Sequence, residues 1–115
     1  MPSIEVKSFD KAEEVNEPNN ARVEAVTVGG QRVLRLHLKP GWKWSQDVKP
    51  NVGTDSCEAS HCGVIIAGTV RVRHDDGTEG EYSTGDAYAI KPGHDAWVVG
   101  DEEAIAFEFH DAWGE

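Results

Sequence analysis

The segment TDSCEASHCGVIIAG, residues 54–68, concentrates side chains that can bind a metal or act in catalysis. It contains an aspartate, two cysteines, a glutamate and a histidine directly before an apolar run that ends in glycine. Thiolate, imidazole and carboxylate are each competent metal ligands, and a thiol beside an imidazole can also act as a nucleophile. An ordinary polar surface loop is the alternative interpretation. Which of these two interpretations is correct depends on the secondary-structure elements that position this segment.

Short strands separated by turn residues are predicted for most of the chain. Apolar residues alternate in RVEAVTV and RVLRLHL, with two glycines between them, which predicts a β-hairpin. Six further short segments follow, each bounded by glycine, proline or aspartate: CGVIIAG, TVRVRH, GEYS, AYAI, AWVV and AIAFEFH. This spacing predicts an all-β sandwich or barrel. The connection over residues 39–56 is rich in proline and glycine, so we expect neither strand nor helix there.

One domain is expected, with residues 1–21 as a partly irregular N-terminal segment and residues 22–115 as the barrel. The leucines of RVLRLHL should face inward, and the final strand should end near His110. The predicted core consists of Val64, Ile66, Val70, Val72, Tyr88, Ile90, Val98, Ile105, Phe107 and Phe109.

Charge and composition exclude several kinds of partner. The 115 residues carry a formal net charge of -10, which repels nucleic acid and anionic membrane surfaces. No stretch approaches the ~20 apolar residues that span a bilayer, and the start of the chain does not resemble a signal peptide. We therefore expect a cytoplasmic protein in which both cysteines are thiols.

The region GTVRVRHDDGTEGEYSTGDAYAIKPGHDAW resembles the centre of a small single-domain cupin. The likeness lies in Gly68, the DDG turn at 75–77, the GDAYAI step at 85–90 and the following proline-glycine turn, and it covers roughly residues 33–109. The resemblance implies an all-β, double-stranded β-helix (jelly-roll) barrel. It also implies a homodimer, in which we expect the strand before RVEAVTV to pair with a neighbouring chain. This fold serves oxygenases, isomerases, decarboxylases, storage proteins and sensors, so function must be argued from the site.

The resemblance also places a metal site. In the first cupin motif, two histidines one residue apart precede a glutamate and then a glycine. Aligned on the glycine, the two histidine positions hold Asp55 and Cys57, and the glutamate position holds His61. Strand alternation would put Asp55 and Cys57 on one interior face. At the histidine position of the second motif stands Ala96, with His94 two residues earlier on the same face.

We predict a divalent metal held by Cys57, His61 and His94, with Asp55 as a further ligand or general base. One thiolate and two imidazoles suit zinc with an open water position, while iron or nickel is an alternative. Cys57 has two other interpretations. It could be a nucleophile activated by His61 or His94, or it could form a disulfide with Cys62, although opposite strand parity disfavours that bond.

Three tryptophans are predicted to line the pocket for a small-molecule ligand. Trp42 and Trp44 point the same way if GWKW is extended, and Trp97 would enter from the second motif. Two functions follow from these residues. The protein is either a metal-dependent enzyme of dioxygenase, isomerase or hydrolase type, or a non-catalytic metabolite-binding or sensor barrel that has lost its metal.

Overall fold

Nine strands in two antiparallel β-sheets make up about half of residues 3–109, the part of the chain that the computed structural model describes. The strands are β1 Glu14–Asn16, β2 Ala21–Val28, β3 Gln31–Leu38, β4 His61–Ala67, β5 Thr69–His74, β6 Glu79–Ser83, β7 Ala87–Ile90, β8 His94–Val98 and β9 Ala104–Phe109. One sheet has the order β1-β2-β3-β9-β4-β7 and the other β6-β5-β8. The predicted all-β fold is confirmed. His110 lies outside the described residues.

The β2–β3 hairpin forms where the alternating pattern predicted it. Gly29 and Gly30 both have positive φ, at 56° and 79°, as a two-residue turn between twisted strands requires. The turn sets a register in which Val28 pairs with Gln31. The leucines of β3 line an interior cavity, as expected from the sequence.

The prediction that Val64 and Ile66 face the core from β4 is wrong. Ile65 is fully buried, whereas Val64 and Ile66 are 37% and 49% exposed. The segment VIIA is apolar at every position, so its alternation could not distinguish the two faces. With Ile65 inward, His61 and Gly63 share the interior face of the strand because side chains alternate.

The inward face of β9 is also opposite to the prediction. Ala104, Ala106 and Glu108 are buried, while Phe109 is 41% exposed. Phe107 points to the outer side of the sheet, where the ring of Phe9 lies 5.5 Å from it. The N-terminal segment therefore covers part of the outer face, and the interior face of β9 carries small residues and one carboxylate.

Two short helices occupy the connection for which no regular structure was expected, α1 Trp44–Asp47 and α2 Lys49–Val52. Pro50 lies in the first turn of α2, where its missing N–H is not needed. The Asp47 carboxylate accepts hydrogen bonds from the backbone N–H of Lys43 and from the amide of Asn20. Within residues 3–109, no helix has the length and apolar character needed to cross a membrane.

On the outer side of β2, a buried carboxylate is bonded to three basic side chains. Glu24 is only 3% exposed. It accepts hydrogen bonds from Arg35 at 2.6 Å and Arg22 at 3.0 Å, and lies 3.0 Å from His37 Nε2. The hydrogen bond from Arg35 outweighs the opposing effect of burial and, with Arg22 and His37, lowers the pKa of Glu24 to about 2.

The N-terminal strand adds to the same sheet. β1 pairs with β2 of its own chain, with Glu14 opposite Ala25. Arg35 also bonds to Asp10, which fixes the preceding segment against the outer face. β1 is the edge strand of this sheet, so its pairing with a neighbouring chain and the homodimer both stay predictions.

Candidate metal centre

Three predicted ligands converge at one end of the interior. Ligand atoms of Cys57, His61 and His94 all lie within 4.8 Å of one another. The sulfur of Cys57 is 3.7 Å from His61 Nε2, and the two imidazole rings are 5.1 Å apart. His61 begins β4 and His94 begins β8, so the group joins strands from both sheets.

Backbone hydrogen bonds hold Cys57 against the start of β8. Its N–H donates to the carbonyl of His94 at 2.7 Å, and its own carbonyl accepts from Gly93 at 2.7 Å. Gly93 has a φ of 95°, a conformation that glycine adopts without strain. The PG turn recognised in the sequence therefore brings the thiol to the histidine.

Each histidine is oriented through its Nδ1 atom. His61 Nδ1 lies 2.7 Å from Glu108 Oε1, and His94 Nδ1 lies 2.8 Å from the carbonyl oxygen of Lys91. Because a carbonyl can only accept, His94 Nδ1 carries the proton, which leaves Nε2 with the lone pair in the neutral ring. An Nδ1–H bonded to a carboxylate or carbonyl is the usual support of a metal-binding histidine.

Glu108 is the functional residue that the sequence did not reveal. It is 7% exposed, and its second oxygen accepts a hydrogen bond of 2.6 Å from the Tyr88 hydroxyl. Tyr88 stacks on Tyr82 with ring centroids 4.0 Å apart. Burial raises the pKa of both phenols, and the nearby carboxylate raises it further, so the hydroxyls stay protonated. The only sequence signal was a lone glutamate on the alanine face of β9.

Gly63 lets β9 approach β4 closely enough for this contact. A Cβ at this position would collide with the Phe107 carbonyl oxygen and would lie 3.0 Å from Glu108 Cγ. Gly63 pairs directly with Glu108 across the two strands. The absence of a side chain therefore allows the carboxylate to reach His61, two residues earlier in β4.

In the metal-free protein, the thiol and the imidazole shift each other's ionisation. Burial alone would raise the pKa of Cys57, but hydrogen bonds to His61 and His94 outweigh it and lower the pKa to about 6. Burial opposes the charged form of His61, yet hydrogen bonds to Cys57 and Glu108 raise its pKa to about 10. Near neutral pH the pair is thiolate and imidazolium. Cys57 and Cys62 are both free, so the alternative of a disulfide is wrong.

Asp55 does not share an interior face with Cys57, and that prediction is wrong. The Asp55 side chain is fully exposed, and its nearest basic group is Lys49 Nζ at 3.9 Å. The cause is local: residues 53–60 form no strand, and Cys57 makes only an isolated bridge to His94. Strand alternation therefore does not apply to this segment.

A cavity of about 300 Å³ adjoins the three ligands. Trp42 and Trp44, which are 8% and 6% exposed, form part of its wall as predicted. The indole nitrogen of Trp42 is buried and has no hydrogen-bond partner among the described residues. The cavity residues are Pro18, Ala21, Val23, Leu34, Leu36, Leu38, Trp42, Trp44, Val48, Cys57, His61, Val70, Tyr82, Tyr88, Ile90, His94, Ala96, Ala104, Ala106 and Glu108.

Trp97 lies on the other side of β8, so its predicted place in the pocket is wrong. His94, Ala96 and Val98 are buried on the inner face, and alternation turns Trp97 outward. The ammonium group of Lys43 stands 5.2 Å from its ring centroid. Trp97 thus belongs to a separate surface hollow.

Solved structures share this fold. A Rhizobium leguminosarum protein of unknown function aligns with a TM-score of 0.65 and 12% identity, over 95% of this chain and 98% of its own. A Klebsiella pneumoniae protein with a double-stranded β-helix domain aligns with a TM-score of 0.59 and 20% identity, over 93% and 84%. Lactobacillus farciminis oxalate decarboxylase, in a formate complex, gives 0.63 and 16%, over 96% of this chain.

The present chain spans 34% of the length of that oxalate decarboxylase. No family model matches the chain, and no curated protein matches it. At these identities the likeness concerns the fold. The chain has the double-stranded β-helix fold, which confirms the fold that the resemblance to cupins implied.

Proposed function

We propose that the protein binds a divalent transition metal through Cys57, His61 and His94 and acts on a small molecule held in the adjoining cavity. The observation that carries this proposal is the convergence of three ligand atoms within 4.8 Å. The orientation of both histidines through Nδ1 supports it, because that arrangement directs Nε2 of a neutral imidazole toward a metal.

The donor set fits zinc best. Bond lengths of about 2.3 Å to sulfur and about 2.0 Å to nitrogen, at tetrahedral angles, place the two ligand atoms about 3.5 Å apart. The sulfur of Cys57 and Nε2 of His61 are separated by 3.7 Å. Three protein ligands leave one position open, as in catalytic zinc sites. Iron and nickel also bind imidazole and thiolate and are the alternatives.

Zinc in such a site polarises a bound oxygen or lowers the pKa of a bound water. The protein would supply the surroundings. Glu108 holds the His61 ring and keeps it basic, and the apolar wall excludes water around the reacting group. Asp55, which the sequence favoured as a base, is not available for that role because it points into solvent.

Metal analysis of protein purified without a polyhistidine tag tests the proposal. We expect about one equivalent of zinc, or uptake of one on titration, and a thiolate-to-metal charge-transfer band after cobalt substitution. Cys57→Ser should abolish that band and His94→Ala should weaken binding strongly. Cys62→Ser is the matched control and should change neither. Less than about a tenth of an equivalent of any transition metal, with none taken up on titration, would overturn the proposal.

A second candidate is covalent chemistry by the Cys57 thiolate. A continuous chain runs from the Cys57 sulfur through His61 to the Glu108 carboxylate, with separations of 3.7 and 2.7 Å. This is the nucleophile, base and orienting group of thiol enzymes. Rapid alkylation of Cys57 compared with Cys62, in protein that takes up no metal, would favour it. Slow alkylation together with no metal uptake would favour the non-catalytic binding barrel.

A further inference from the structure

Along its sides, the cavity offers no positive charge that could hold an anion. Its sides are formed by the leucines of β3, by Trp42 and Trp44, and by Val70 and Ile90. Among the described residues that line it, there is no lysine or arginine. The nearby cations Lys43 and Arg73 lie instead in the separate hollow around Trp97.

The polar end of the cavity does not supply the missing charge. The Cys57 thiolate and the Glu108 carboxylate together offset the two positive charges of a divalent metal, while the metal-bound imidazoles are neutral. A buried carboxylate on the ligand would therefore lack a counter-charge, which opposes its binding. The net charge of -10 also repels anions on approach.

We infer that the ligand of this cavity is a neutral, mainly apolar molecule, aromatic or of similar thickness, with one polar group. The inference rests on the proposed function for the position of that group, which faces Cys57, His61 and His94. The volume of about 300 Å³ equals that of roughly ten waters, so a molecule of about ten non-hydrogen atoms fills it. Trp42 and Trp44 provide flat apolar contact for such a ligand.

Benzamide and benzoate form a matched pair for the test, since they have the same shape and differ in charge. Binding is measured by calorimetry and by NMR shifts of the Trp42 and Trp44 indole N–H signals, in metal-free and zinc-titrated protein. We expect benzamide to bind at least about tenfold more tightly than benzoate in both preparations, because only benzoate must bury an unpaired charge.

Leu36→Trp should fill the cavity and weaken benzamide binding at least about tenfold. Because that variant could disturb folding, Val70→Phe serves as a second cavity-filling change, with circular dichroism as the check on the fold. Trp97→Phe lies outside the cavity and should leave binding unchanged. Equal or tighter binding of benzoate, no binding of either molecule, or binding unaffected by both cavity changes would overturn the inference.

The two proposals fail separately. Metal content is measured without reference to ligand, and the benzamide preference is measured in metal-free protein as well. A preference for benzamide without any metal uptake would retain the ligand class and remove the metal site. Metal uptake with a preference for benzoate would retain the metal site and remove the proposed ligand class.

Discussion

Raising the pH should tighten zinc binding, because the metal must displace a proton from the Cys57–His61 pair. In the metal-free protein the pKa of Cys57 is lowered to about 6 and that of His61 is raised to about 10. Between these values the pair holds one proton, which resides on the imidazole. A metal-binding histidine must be neutral, so binding releases that proton.

The structure sets the size of this effect. Across the interval between the two pKa values, each pH unit removes about 1.4 kcal/mol from the cost of deprotonating His61, or about a factor of ten in affinity. From about pH 6.5 to about pH 8.5 the dissociation constant for zinc should therefore fall about 100-fold. Below about pH 6 the thiol holds a proton too, so the dependence becomes steeper.

Competition against a chelator of known pH dependence measures the dissociation constant at each pH. Calorimetry in two buffers with different ionisation enthalpies counts the released protons, and we expect about one near pH 7.5. An affinity that stays constant over this range, or binding without proton release, would refute the reasoning. Either result would mean that zinc does not displace the proton shared by Cys57 and His61.

Three further predictions concern single residues. Glu108→Gln should make the pH dependence of zinc affinity level off at a lower pH, because the His61 imidazole loses a hydrogen bond that raises its pKa. The control Glu81→Gln, on the surface, should leave this dependence unchanged. Gly63→Ala should destabilise the fold by about 3 kcal/mol in urea unfolding because its methyl group meets the carbonyl of the adjacent strand; Gly80→Ala, with open space around it, should cost less than about 1 kcal/mol. Glu24→Gln should lose about 3 kcal/mol at neutral pH. The folded-state pKa of Glu24 is depressed, so this difference from the wild type should disappear as the pH falls from about 5 to about 2; equal stability of the two proteins at pH 7 would contradict it.

The fold could be predicted because its signals are local. Turn glycines and alternating apolar residues defined the hairpin and most of the strands, and the PG turn placed His94 at the start of β8. The same turn brought Cys57 to His94, so three of the four predicted ligands meet. Spacing from Gly68 was sufficient for His61 because β4 extends from His61 to Ala67. Cys57 precedes that strand and is held by its hydrogen bonds to Gly93 and His94.

The remaining features depend on tertiary structure. Nothing in VIIA indicated which side of β4 faces inward, because that depends on packing against the opposite sheet, where Ile65 lies in the core with Val70 and Val98. Glu108 reaches His61 across two paired strands that lie 47 residues apart in the sequence. Asp55 was assigned by assumed alternation, which does not apply because residues 53–60 form no strand. Trp97 was assigned by its place in the second motif, and alternation in β8 turns it outward because His94 and Ala96 occupy the inner face.

Gly63 has a consequence for recognising relatives of this protein. A descendant sequence could keep Cys57, His61 and His94 and still lose the carboxylate support if a side chain at position 63 pushed the two strands apart. Conversely, a homologue with a different set of ligands could inherit the same support through a paired glycine and glutamate. Because Gly63 and Glu108 are paired across the two strands and pack closely, substitutions at these two positions should be correlated across an alignment of relatives.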